Sequence, residues 1–80
     1  MPLATAVRLL KKGEWQKAHP IVQDDASVLG AWAHGIVHMM EGDVSNARYW
    51  YRKAQRTFPK SFDAQAEVAA LAAALKEEAQ

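Results

Sequence analysis

The stretch GDVSNARYWYRKAQRTF, Gly42–Phe58, followed directly by Pro59, decides how this chain folds. Gly42 is suited to ending one helix, and Asp43 to opening the next as an N-cap or first-turn acid at the positive end of the helix dipole. Ala47, Tyr51 and Ala54 then recur at offsets of four and three, so they share one face of a helix expected to run to about Thr57. Pro59 bars an uninterrupted continuation because it has no backbone N–H. The stretch therefore reads as a helix that begins at a tight corner, offers small residues and one ring to a neighbour, and stops.

The same punctuation recurs outward from it. Upstream, a helix from about Ala26 to Glu41 ends at Gly42, and Asp24 and Asp25 favour a turn before it. A first helix over about Leu3–Lys12 has Ala6, Val7, Leu9 and Leu10 as its apolar face and is stopped by Gly13. A second follows from Glu14, with Trp15, Ala18 and Val22 on one face; Pro20 is expected to bend it or end it early. Downstream, Ser61 can cap a new start and Asp63 suits the first turn of a final helix reaching about Ala79. Its stripe Ala64, Val68, Leu71 and Leu75 would cover an otherwise open layer. No segment alternates as a strand, and alanine is abundant throughout. The expectation is an all-α fold in one domain, residues 1–80: an irregular hairpin over 3–25, a second hairpin over 26–59 and a closing helix over 61–79. Short links make sequential neighbours antiparallel.

Eighty residues, half of them apolar, suffice for one economical core. With no cysteine, the fold must rest on packing, and a reducing compartment is the natural reading. No apolar stretch approaches the roughly 20 residues that span a bilayer, and the lysines of MPLATAVRLLKKG follow its apolar run instead of preceding it, so a soluble cytoplasmic protein with no membrane partner is expected. The net charge is only +1, but residues 43–60 carry Arg48, Arg52, Lys53, Arg56 and Lys60 against Asp43, while residues 61–80 carry Asp63, Glu67, Glu77 and Glu78 against Lys76. Intramolecular complementarity between these solvated faces is the simplest reading.

The chain also repeats itself. GEWQKA at Gly13–Ala18 and GDVSNA at Gly42–Ala47 share glycine, acid and alanine at equal offsets, each at a helix corner. In the second unit, Gly35, Gly42, Ala47, Tyr51, Ala54 and Pro59 stand where the tetratricopeptide pattern has glycine, a turn residue, alanine, an aromatic, alanine and proline. This unit resembles a tetratricopeptide or Sel1-like repeat, and YWYRKA at Tyr49–Ala54 leans toward the Sel1-like form. The likeness covers residues 26–59 well and 3–22 loosely, and the 29-residue spacing falls short of the usual 34, so it implies a one-and-a-half-repeat relative. WAHGIVHMMEGDVSNARYWYRKA is also similar to small bacterial proteins of unassigned function, which implies a stand-alone bacterial protein. In such hairpin stacks the first helices of successive pairs hold an extended peptide or a partner helix. The resemblance thus implies a protein–protein interaction or scaffold module, with helices one and three as the binding surface and a homodimer as a further possibility.

His34, His38 and Glu41 form the sharpest polar constellation. Offsets of four and three bring them within roughly 60° of arc on one helix. Two histidines four apart with a carboxylate a turn later can bind a metal ion, which makes a small ligand- or metal-binding protein the rival reading. In the repeat, His34 and His38 replace a leucine and an aromatic facing the next helix, so both are expected to point inward toward Ala47 and Tyr51. There they would enter a polar network with Tyr49, Tyr51, Asn46 or Glu41. Trp15, Trp32 and most other rings are expected in the core, with Trp50 near the edge of its helix face. Tyr49 lies opposite that face, beside Arg52, Lys53 and Arg56, in a patch suited to an acidic protein or peptide. Nucleic acid is disfavoured as a partner because the charge is balanced. No cofactor and no enzymatic activity are expected: there is no phosphate-binding glycine loop, and Ser27, Ser45 and Ser61 read as turn or cap residues.

Overall fold

In the computed structural model, which describes residues 2–78, the chain forms five helices and no strand among those residues: α1 (Pro2–Lys11), α2 (Trp15–Gln23), α3 (Val28–Glu41), α4 (Val44–Lys53) and α5 (Ala64–Glu78). The all-α expectation holds. Residue 79, to which the last helix was expected to extend, lies outside the described residues.

One local device ends three of the helices. After α1, α3 and α4 a residue turns left-handed, and the next amide reaches back five residues: Glu14 N–H to the Leu9 carbonyl, Asp43 N–H to His38 and Arg56 N–H to Tyr51, at 2.8–3.0 Å. At the first two corners the left-handed residue is glycine, Gly13 (φ 77°) and Gly42 (φ 93°); at the third it is Gln55 (φ 60°). That third closure is the difference from expectation. α4 ends at Lys53 and not near Thr57, because the Gln55 and Arg56 amides turn back onto the Arg52 and Tyr51 carbonyls before Pro59 is reached.

Caps set the other boundaries. The Ser27 hydroxyl accepts from Gly30 N–H at 3.0 Å, so α3 begins at Val28 and Ala26 stays outside it. The Asp43 carboxylate accepts from Asn46 N–H and the Asn46 side-chain amide, which hold its pKa below the usual value. Asp63, not Ser61, caps α5, its carboxylate accepting from Ala66 N–H at 3.1 Å. Pro20 does not end α2, which continues to Gln23.

α3 is the axis of the molecule. It packs against all four other helices, and every residue from Leu29 to His38 is buried. α5 lies across α1 and α3, with Val68, Leu71 and Leu75 turned in. The face of helices one and three, expected to receive a partner, is therefore covered by the chain's own last helix. α2 and α4 flank α3 without packing against each other, and α4 and α5 do not pack against each other either, so their opposite charges are not matched by helix pairing. A polar clasp links them instead: Glu67 Oε1 accepts from Tyr51 Oη–H and from Trp32 Nε1–H at 3.2 Å. Burial and this acceptor push the Tyr51 hydroxyl pKa well up.

The hairpin α3–α4 closes as the small residues suggest. A Cβ built on Gly35 would lie 2.6 Å from Tyr51 Cδ1 and 2.8 Å from Cε1, so the ring occupies the space a side chain would need. Ala47 and Ala54 are buried beside it. Gly35→Ala should therefore destabilise the protein by about 1–3 kcal/mol in urea unfolding, because Tyr51 is held by Glu67 and cannot withdraw freely. Gln55→Gly should act in the opposite sense, adding about 0.5–1 kcal/mol by relieving the left-handed strain; a loss of stability would refute that account.

Candidate functional site

The inward face of α3 carries His34 and His38 one turn apart, and both are buried, at 5% and 7% exposure. Their neighbours differ from those expected. His34 stacks on the Trp50 indole of α4, centroids 3.9 Å apart and planes 12° from parallel, and His38 stacks beside His34 at 4.9 Å. Tyr51, which the sequence offered as a partner, spends its hydroxyl on Glu67. The partner that sequence reasoning missed is His19. From α2 its ring meets both others edge-on, with centroids 5.2 Å from His34 and 5.3 Å from His38. The missed signal lay in α2 itself: Trp15, Ala18 and Val22 define the buried face, and position 19 borders it one turn beyond Trp15.

Three imidazoles thus converge from two helices, with potential donor nitrogens all within 4.8 Å of one another. Glu41 stands behind them: its Oε1 lies 2.9 Å from His38 Nδ1. That contact selects the tautomer with hydrogen on Nδ1 and leaves the His38 Nε2 lone pair available. Glu41 and Asp43 group with His38 and not with His19 or His34, so the carboxylate expected among the ligands is a support for one of them. Neither His19 nor His34 has a hydrogen bond to another described residue. No side-chain nitrogen or oxygen among the described residues is both buried from solvent and unpaired. The His34 nitrogens accordingly keep some contact with solvent.

Burial is the chief reason the His34 pKa falls from 6.5 to about 4, with the neighbouring His38 and His19 rings adding to it. The ring is neutral at pH 7.

The basic patch is rearranged. Tyr49 is exposed at 44%, with Arg52 exposed on the same helix and Lys53 Nζ 5.9 Å from the Tyr49 ring centre. Arg56 does not join them; its guanidinium lies over the Trp32 ring, 3.5 Å from Cζ to the centroid. A cleft of about 350 Å³ opens between the α2–α3 link and α4, walled by Asp24, Asp25, Val28, Ala31, Trp50 and Lys53. Trp50 is shared, since it also stacks on His34.

No family model, curated protein or solved structure matches this chain. No helix among the described residues is long and apolar enough to cross a membrane.

The His34 shift has a pH signature in the metal-free protein. An imidazole with a folded pKa near 4 and an unfolded value near 6.5 stabilises the fold fully above pH 6.5, and that stability is lost as pH falls toward 4. The rings of His19, His38 and Trp50 surround it and supply no anion that would reverse the sign; Glu41 meets His38 and not His34. In the presence of a chelator, Tm should fall by several degrees between pH 7 and pH 5, and His34→Leu should remove most of that fall. An unchanged Tm across this range would contradict the account.

Proposed function

We propose that this protein binds a late first-row divalent metal ion through His19, His34 and His38. The observation that carries the reading is the convergence of three imidazoles from two helices on one point, two of them without any hydrogen bond to spend their lone pairs on. Imidazole donors suit zinc, nickel, cobalt and copper, and affinity among these follows the usual divalent order. Ligand nitrogens on a tetrahedral ion at about 2.0–2.1 Å stand roughly 3.4 Å apart, so the rings need to close by about 1 Å or slightly more, a matter of small side-chain rotations. The Glu41 carboxylate on His38 Nδ1 is the outer-shell partner that metal-bound histidines commonly have.

The interaction reading persists in altered form. With α5 across α1 and α3, the support for a protein or peptide partner comes from the exposed Tyr49 beside Arg52 and Lys53 on α4, next to the cleft at Trp50.

The test is thermal unfolding of the chelator-treated protein with zinc, nickel, cobalt or copper added. At a hundredfold excess over Kd, linkage contributes about 2.7 kcal/mol, which for a domain of this size raises Tm by roughly 10 °C or more. His19→Ala should abolish that rise while folding normally, since His19 is only half-buried. His34→Leu should melt no lower than the metal-free parent and gain nothing from metal. No rise with any of the four ions, or an undiminished rise in His19→Ala, would overturn the reading.

A further inference from the structure

We infer that an ion held by His19, His34 and His38 keeps one exchangeable position, reached from solvent past the half-buried His19, and that this position takes a small monodentate anion. The inference rests on the metal reading above and adds to it what the site binds.

The first argument is the donor count. Structural sites for such ions are closed by four protein ligands, whereas sites that work on exogenous ligands keep one position free. The group of ligating side chains around His19 and His34 contains three members among the described residues. The chain has no cysteine to add a thiolate. The nearest carboxylates, Glu41 and Asp43, cluster about His38 alone, and Glu41 is already engaged with His38 Nδ1. A fourth ligand must come from outside the protein.

The second argument is access. α2 and α4 both pack on α3 and not on each other, and the rings of His19 and Trp50 reach His34 from those two helices. His19 is half-buried, and the His34 nitrogens are not fully cut off from solvent. Trp50 touches His34 and also lines the 350 Å³ cleft. The indole restricts the space directly above His34 and favours a small ligand next to the ion.

The third argument is charge. Three neutral imidazoles leave the ion's two positive charges uncompensated, and neither Glu41 nor Asp43 groups with all three rings. An anionic donor is favoured over a neutral one at the free position.

The experiment loads the full chain with cobalt(II) and follows its visible absorption while azide is added. The expected result is a set of ligand-field bands that shifts on azide addition and saturates at one azide per cobalt, with cobalt still retained on ultrafiltration. In His19→Ala both the starting bands and the response should be lost. Cobalt bound with bands unmoved, up to the highest azide concentration at which circular dichroism shows the fold intact, would overturn this inference and leave the metal reading standing. Failure to bind cobalt, zinc, nickel or copper at all would overturn both.

Discussion

A helix surrounded on every side has no face to give to water, and α3 imposes that constraint on everything around it. Ten consecutive residues, Leu29 to His38, are buried, and they include an indole N–H and two imidazoles. Buried polar groups without partners are costly, so the helices packed on α3 must bring polar atoms as well as apolar surface. α5 brings Glu67 to Trp32 Nε1, α2 brings His19 to the two buried histidines, and α4 brings Trp50 to cover His34. Glu41, at the end of α3 itself, takes His38 Nδ1. α2, α4 and α5 thus each meet α3 through a specific contact in addition to area burial.

The same constraint distributes the surfaces. α5 has its apolar residues Val68, Leu71 and Leu75 against α1 and α3, which removes from solvent the surface that a helical-hairpin stack would leave open at that point. Glu67 sits one residue before Val68, so the helix that supplies the apolar stripe also supplies the acceptor shared by Trp32 and Tyr51. On the other side, Trp50 joins the two remaining features, stacking on His34 of the histidine cluster and lining the cleft beside the α2–α3 link.

Much of this was legible in the residues because it depends on local chemistry. Gly13 and Gly42 end helices for a backbone reason that acts wherever they stand, and Gly35 and Tyr51, picked out by their likeness to the repeat pattern, do meet closely. The inward direction of His34 and His38 was an expectation implied by the likeness to the repeat, and both are buried. Glu41, one turn away on the same helix, was among the partners the residues offered, and it meets His38. The partners from other helices were not legible, because they depend on register between helices: Trp50 and not Tyr51 meets His34, and His19 reaches both rings from α2. The early end of α4 was hidden for a related reason. Gln55 is an ordinary helix former, and only the return of the Arg56 guanidinium to the Trp32 ring and of Phe58 to Tyr51 makes a left-handed turn there worth its strain. Ser61 was expected to cap α5 with Asp63 in its first turn; Asp63 is the cap instead, because the helix starts at Ala64.

The choice of histidine at positions 34 and 38 has a thermodynamic consequence. A leucine buried at either site would contribute about 1.5–3 kcal/mol of transfer free energy, and a domain of this kind has only about 5–15 kcal/mol in total. An imidazole gives less apolar burial, and below pH 6.5 the His34 pKa of about 4 adds a further cost, because the unfolded ring takes up a proton that the folded one does not. Stacking on Trp50 recovers part of the difference and holds the ring in one orientation. It does not use the nitrogens. A ligand that binds those nitrogens in the native state adds its own linkage free energy to folding and makes the stability of the chain depend on its concentration. On the proposed metal reading, the imidazoles that weaken the core of the metal-free protein are the groups through which the ion stabilises it, and the rigid stacking around them limits how far they must move to do so.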